Sequence, residues 1–374
     1  MKIAHLNYFP YFVPGLDKKI KEQAYASKDL GIDIEFVILN QDINKIQDNI
    51  IYKKIKKSSI LKQKLFRFKV IKENFNFDNY DLIILRYPMT TDFSSQSFIK
   101  RYGYKIISEH HTDEIGELKT LGNSISNKFR IFLENKFSKI YLENVKSIIG
   151  VTNEIRILEC NKSFTPKKSF VFSNGIDVNK VKIANRIRFT NELNAIFVAS
   201  VFSPWQGLDR VLKGLINYSS NIKINIKLIG KIPKEYDELI IKLQNKNNIY
   251  IILKDYVEPK NLNIEYDNQH LAIGTLTQFR TNMQESCPLK VREYIASGIP
   301  FIYAYNDSDL NGSEYFTLKL ESNDNPIDFE KVIEFAKKID LEENLQEDMR
   351  KFALEKLDWK VKISSLYKFI KNEL

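Results

Sequence analysis

Two glutamates eight positions apart, Glu285 and Glu293, bracket the stretch Glu285-Ser286-Cys287-Pro288-Leu289-Lys290-Val291-Arg292-Glu293. Pro288 marks a loop running into a helix, and Ser297-Gly298 marks its stop ahead of the strand-like run Phe301-Ile302-Tyr303-Ala304. That spacing predicts Glu285 in the loop before the helix and Glu293 about two turns along it. Both carboxylates would face one crevice. A helix N-terminus presents unpaired backbone N–H groups and the positive end of its dipole to a phosphate, and Lys290 adds a full charge beside it. A second glycine-bearing stretch, Pro14-Gly15-Leu16-Asp17-Lys18-Lys19, reads as a loop entering a helix. Gly15, having no side chain, would let a pyrophosphate or an acceptor approach closely. It is neither a Gly-x-Gly-x-x-Gly nor a P-loop. Glu109-His110-His111 follows a strand-like run, which predicts a loop at the end of a sheet. Asp307-Ser308-Asp309 has the spacing of a divalent-ion motif, but it lies after the strand at Phe301, away from a ligand at the helix start. No clustered His/Cys set exists, so no metal is expected.

The elements holding these residues are those of an α/β protein. Short β-branched runs at Lys2–Tyr8, Ile34–Leu39, Leu82–Leu85, Lys105–Ser108, Ser147–Val151 and Ser169–Phe172 alternate with helical stretches. The first crossover places Ile20, Ala24 and Leu30 inward and stops at Gly31. The pattern breaks at the turn Asn174-Gly175-Ile176-Asp177 and resumes at Ala195–Val201, with Ile224–Ile229, Tyr250–Leu253, Leu271–Leu276 and Pro300–Ala304 as further strands. The prediction is two Rossmann-like, doubly wound domains facing an interdomain cleft, at residues 1–180 and 190–356. Residues 357–374 form a C-terminal helix crossing back to the first domain through Val361, Ile363, Leu366, Phe369 and Ile370. In such folds ligands bind at the carboxyl ends of the strands.

Composition narrows the partners. Of 374 residues, Lys and Arg number 57 against 47 Asp and Glu, a net charge of +10 that favours an anionic partner. From Ile51 to Lys72 there are nine basic residues and no acid, with Ile55, Ile60, Leu61, Leu65, Phe66 and Phe68 interleaved, a composition suited to an anionic membrane surface. Arg-Gly repeats, zinc fingers and RNP-like motifs are missing, so nucleic acid is not expected. No run approaches the ~18 apolar residues of a membrane span. With Cys160 and Cys287 as the two cysteines and Met1-Lys2-Ile3-Ala4 leading directly into a strand, the expected location is cytoplasmic, peripheral on the inner face of the membrane.

The segment around Glu285 and Glu293 resembles the Glu-x7-Glu signature of retaining, family 4 glycosyltransferases of GT-B architecture. Gly15 with Lys18 and Lys19, Glu109-His110-His111, Asn174-Gly175-Ile176-Asp177, Trp205-Gln206-Gly207-Leu208 and Tyr256-Val257-Glu258-Pro259 occur in the order of that family. The resemblance implies that Glu285 holds hydroxyls of a donor sugar and Glu293 the nucleotide ribose. It also implies that Gly15, Val257, Ser286, Cys287, Pro288, Leu289 and Arg292 contribute to the donor site and that His110 serves the acceptor side. One departure stands out. Where the family carries an Arg and a Lys on the donor diphosphate, this chain has Val201 and Gln206, and Lys290, Arg292 and Arg280 are the candidates to replace them, Lys290 first. The expected activity is metal-independent transfer, with retention, of a hexosyl group from a nucleotide diphosphate sugar to a polysaccharide, lipid-linked or glycoconjugate acceptor. The nucleotide sugar is substrate, and no cofactor is expected. The missing cations motivate a competing reading, a non-catalytic GT-B-like subunit that binds a glycan or a partner enzyme. A nucleotide-sugar epimerase ranks third, and a glycosidase would need two opposed carboxylates instead.

Overall fold

The computed structural model describes every residue except 10–12, 43–44, 48, 56–64, 121 and 259–260. The chain divides into two compact units, Met1–Ser173 with Trp359–Leu374, and Asn174–Asp358.

In the first unit the strands are β1 (Ile3–Tyr8), β2 (Ile34–Asn40), β3 (Lys45–Gln47), β4 (Ile50–Lys54), β5 (Leu82–Arg86), β6 (Ile106–His110), β7 (Ser147–Gly150) and β8 (Ser169–Val171). They form one sheet in the order β3-β4-β2-β1-β5-β6-β7-β8, parallel throughout except for the edge pair β3–β4. Every residue of β1 is buried, as a strand covered by helices on both faces requires. The helices are α1 (Pro14–Asp29), α2 (Arg67–Asn74), α3 (Ser95–Tyr102), α4 (Glu114–Thr120), α5 (Ile125–Asn144) and α6 (Asn153–Cys160). One core layer gathers Phe68, Ile71, Phe77, Phe98 and Tyr141 beneath α2, α3 and α5. The other gathers Ile20, Ala24, Phe36 and Ile84 beneath α1.

The second unit contains β9 (Glu192–Val201), β10 (Lys223–Lys231), β11 (Ile249–Lys254), β12 (Leu271–Ile273), β13 (Phe301–Tyr303) and β14 (Thr317–Lys319), all parallel in the order β11-β10-β9-β12-β13-β14. Its helices are α7 (Leu208–Asn217), α8 (Asp237–Gln244), α9 (Leu262–Glu265), α10 (Leu289–Ser297), α11 (Phe329–Asp340) and α12 (Leu345–Phe352). The segment after Asn174 belongs here, because Ile176, Val178, Val181 and Ala184 are buried in the same cluster as Val291, Ile295 and Met349.

The last helix, α13 (Trp359–Glu373), belongs to the first unit. It buries Trp359, Ile363, Leu366 and Ile370 in the α1 layer, while Val361 points outward. Trp359 Nε1 donates to Glu22 Oε2 at 3.1 Å, Lys360 pairs with Asp29 at 2.8 Å, and Phe369 stacks on Phe170 at 5.1 Å between centroids.

Among its described residues the basic segment 51–72 divides between surface and core. Ile51–Lys54 is strand, with Lys53 and Lys54 exposed. Ile55 and Phe68 are core residues. The Arg67 guanidinium is buried against Pro88 O and Thr90 Oγ1, and Asp92 accepts from the backbone N–H of Arg67. Lys56, Lys57, Lys62 and Lys64 lie outside the described residues.

Candidate functional site

In both sheets the strand order reverses beside the first strand of the unit, at β1/β5 and at β9/β12, and the ligand crevice of such sheets opens at the carboxyl ends there. Several of the residues singled out by sequence follow the carboxyl ends of strands within their own unit: Gly15 after β1, His110 at the end of β6, Gln206 after β9 and Glu285 between β12 and β13.

In the second unit the loop before α10 is tied into the sheet. Glu285 forms a parallel bridge with Asn306, just past β13, where Ser286 N donates to Asn306 O at 2.9 Å. Pro288 is the N-cap of α10 and Leu289 its first residue. Cys287 is buried, and burial pushes its thiol up to about 11, which keeps it protonated and chemically quiet. Asn174 pins this turn, donating from its backbone N–H to Cys287 Sγ at 2.9 Å and from Nδ2 to Cys287 O at 2.7 Å. Glu293 is the fifth residue of α10, so it lies one turn into the helix and not two. It accepts from Tyr266 O–H at 2.9 Å. Val257 is half-buried against the α10 core.

Lys290 reaches back across the sheet end. Its ammonium donates to Gln206 Oε1 at 2.7 Å and Val198 O at 3.2 Å, and lies 4.5 Å from the centre of the Phe197 ring. The residue as a whole is half-buried, but its charged end sits deep, and burial pushes it down to about 7. Gln206 itself is held at the switch point, since Leu276 N donates to Gln206 O at 3.2 Å. Gly207 follows at φ 78°, and a Cβ there would lie 2.7 Å from Leu276 Cβ, so only glycine lets the loop sit this close. Lys290 therefore brings its charge to the place where the sequence carries Gln206. Val201, at the end of β9, is exposed.

The other two candidate cations are engaged. Arg280 donates to Asp209 at 3.0 and 2.8 Å and to Asp324 at 2.5 Å. Arg292 is fully buried: it pairs with Asp307 through both terminal nitrogens, with Asp309 at 2.5 Å, and with Asn174 O at 3.0 Å. The donor role expected of Arg292 is corrected on this geometry. It lies on the inward side of α10 and clamps the loop after β13, and the Asp307-Ser308-Asp309 motif supplies the carboxylates of that clamp.

In the first unit two expectations change. Gly15 is not in a loop but is the second residue of α1, with Lys18 and Lys19 in the next turn. Glu109 and His110 are not in a loop either. They close strand β6, and His110 is completely enclosed. Its Nε2 lies 2.8 Å from Ser108 Oγ, its Nδ1 lies 3.1 Å from Glu114 Oε1 and 3.5 Å from Glu159 Oε2, and its ring stacks on Tyr87. An imidazole so placed is a buried strut, and direct contact with an acceptor is corrected accordingly. His110, Glu114 and Glu159 have ligand atoms within 4.8 Å of one another, a spacing that suits a metal ion. The group already contains a cation, however: Lys162 Nζ lies 2.6 Å from Glu159 Oε1 and 3.9 Å from Glu114 Oε2. Burial together with Glu114 pushes the Glu159 carboxyl up to about 7.

His111 is the histidine of the pair that reaches the surface. Its Nε2 lies 3.2 Å from Glu109 Oε1, while Glu109 Oε2 lies 2.8 Å from His5 Nε2. Burial and the neighbouring Arg86 and Lys19 hold His111 well below the usual histidine range, so it is neutral at pH 7. The partners Glu114, Glu159, Lys162 and Tyr266 were missed by sequence reading. Glu114, four residues after His110, was the one with a local signal.

No family model and no curated protein sequence matches the chain. Solved structures do match along the whole length. A sucrose-phosphate synthase from Thermosynechococcus elongatus aligns with TM-score 0.68 and 11% identity over 99% of this chain and 98% of that one. A glycosyltransferase from Rickettsia africae aligns with TM-score 0.63 and 16% identity over all of both chains. HepE from Anabaena, solved with UDP and glucose, aligns with TM-score 0.56 and 11% identity over 98% and 99%. The fold of the chain is the GT-B glycosyltransferase fold.

Proposed function

We propose that the chain is a glycosyltransferase that takes a hexosyl group from a nucleotide diphosphate sugar, held by the second unit, and passes it to an acceptor held by the first. The observation that carries this reading is the placement of Lys290 and Gln206 together at the carboxyl ends of β9 and β12, beside the start of α10. A diphosphate there meets backbone N–H groups of α10 and one ammonium, the elements that stabilise charge developing on a leaving phosphate. Glu285, in the loop before α10, is assigned the sugar hydroxyls, and Glu293 the ribose. Ser286 to Leu289 supply the backbone around them, and Val257 the apolar wall. Transfer proceeds with retention and without a metal ion, the departing phosphate accepting the acceptor's proton. The acceptor is a polysaccharide, a lipid-linked sugar or another glycoconjugate, and Gly15 at the start of α1 leaves an open approach for it.

Release of nucleoside diphosphate from a panel of nucleotide sugars tests this, with UDP-glucose first because a structural neighbour was solved with UDP and glucose. Anomeric configuration of the product by NMR tests retention. The competing reading, a non-catalytic subunit, is favoured by Val201 and Gln206 standing where the resembling family carries cations. It predicts nucleotide binding or glycan binding with no diphosphate release from any donor.

A further inference from the structure

Helix α5 carries apolar side chains on its inward and its outward side. Its inward side buries Leu133, Phe137, Tyr141 and Leu142. Its outward side carries Ile125, Phe129, Phe132 and Ile140, with exposures of 88%, 40%, 53% and 36%. Phe93 and Phe66, also exposed, extend this row: ring centres are 6.4 Å apart for Phe66–Phe93, 6.4 Å for Phe93–Phe129 and 6.3 Å for Phe129–Phe132. An exposed apolar row of this kind marks an interaction surface.

Charge identifies what covers it. The outward positions between the apolar ones hold Lys128, Lys136 and Lys139, all exposed. Of the acids of the helix, Glu134 is buried and accepts from Tyr87 and Thr91, while Glu143, at the C-terminal end of the outward stripe, accepts from Ser163 and Thr165, so the three lysines outnumber the one acid on this face. The Lys136 ammonium rides over the Phe132 ring at 5.7 Å, an aliphatic stem along apolar surface with its head toward water. A second copy of the chain would set this face against itself and bring lysines onto lysines. An anionic bilayer accepts both components, the rings among the acyl chains and the ammoniums among phosphates. Among the described residues no helix is long and apolar enough to cross a membrane, so α5 would lie in the plane of the interface.

We propose that the outward face of α5, with Phe93 and Phe66, is a membrane-binding surface for anionic lipid. It shares Phe66 with the basic segment 51–72, of which Ile55 and Phe68 serve the core. The surface is independent of the donor chemistry, so vesicle binding and nucleoside diphosphate release can fail separately.

The test is co-sedimentation of the full chain with vesicles of phosphatidylcholine alone and with about 30% phosphatidylglycerol, at about 50 mM and about 500 mM salt. The expected result is binding to the anionic vesicles at low salt, weaker at high salt and absent with phosphatidylcholine alone. Phe129→Ser with Phe132→Ser should cut binding about tenfold or more, as should Lys128→Glu with Lys136→Glu and Lys139→Glu, while melting temperature and nucleoside diphosphate release stay unchanged. Three outcomes overturn the proposal: no binding by the unmodified chain at low salt, equal binding by the Phe129/Phe132 variant, or a dimer in sedimentation equilibrium that the same substitutions dissociate.

Discussion

If the proposed diphosphate lies beside Lys290, nucleotide binding should depend on pH through the protonation of that side chain. Its ammonium is pushed down to about 7 by burial, so near neutrality the side chain is a conditional cation. An anionic diphosphate beside Gln206 is stabilised by the charged form, and binding therefore draws a proton onto Lys290. The contribution of Lys290 to affinity should be full below that value and be lost as pH rises through it. At about pH 7 about half the molecules carry the charge and at about pH 9 about one in a hundred, so apparent affinity falls about fifty-fold over that window. That factor is about 2.3 kcal/mol. The terminal phosphate of UDP titrates near ~6 and is already about nine-tenths charged at about pH 7, so above that pH the ligand contributes little to the slope. Isothermal titration with UDP at several pH values measures the affinity, and repeating it in buffers of different ionisation enthalpy counts the proton taken up. Lys290→Arg, permanently charged, should bind UDP with a flat profile, and Lys290→Met should bind weakly and equally flatly. A flat wild-type profile, or a Lys290→Met variant as strong as wild type at about pH 7, would refute the placement of the diphosphate beside Lys290.

Other residues carry further outcomes. Glu285→Gln should lower turnover about a hundredfold or more while leaving the UDP dissociation constant nearly unchanged, whereas Glu293→Ala should weaken UDP binding by about 1.5–3 kcal/mol, the worth of a hydrogen bond to a charged group. Equal effects of the two on UDP binding would contradict the assignment of sugar to one and ribose to the other. Arg292→Met leaves Asp307 and Asp309 without their buried partner and should destabilise the second unit by about 3–5 kcal/mol; an unchanged denaturation midpoint would show that the clamp is dispensable. Removing Trp359–Leu374 strips Trp359, Ile363, Leu366 and Ile370 from the α1 layer, each worth about 1.5–3 kcal/mol of burial, and should leave the first unit unable to fold. A truncated chain that melts cooperatively at the wild-type temperature would argue against this.

The features legible in the sequence are those set by short-range physics. Alternation of β-branched runs with helical stretches gives the two parallel sheets, because a strand buried on both faces must be apolar along its whole length, as β1 is. The stop of α10 at Gly298 follows from a backbone with φ 73°, open to glycine at no steric cost. What sequence reading missed is set by partners distant along the chain. His110 is a polar residue at a strand end, and nothing local says that Glu159, forty-nine positions on, and Tyr87 enclose it. Val361 sits among apolar residues at helical spacing yet faces outward, because the stripe that meets α1 is set by Trp359, Ile363, Leu366 and Ile370. The three-residue strand β14 and the antiparallel β3 are too short for any periodicity to stand out.

Arg292 and Lys290 show how one helix turn divides structural from chemical charge. They are two residues apart on α10, about 200° around its axis, so they must point to opposite sides. The inward one, a guanidinium with a planar fork, is matched by two carboxylates and becomes part of the frame. The other, an ammonium on a flexible stem reaching toward the sheet end, meets a neutral amide and a carbonyl, and no ion pair to it is found among the described residues. An uncompensated buried ammonium is costly to keep charged, and this is why its proton is loosely held. The same lack of compensation leaves it available to an anion. A permanent cation at position 201 or 206 would hold a diphosphate equally before and after transfer, whereas on the proposed function Lys290 would surrender its proton once the diphosphate leaves. On the proposed function, a diphosphate beside Gln206 would meet its charge on Lys290, and that charge would depend on the ligand's presence.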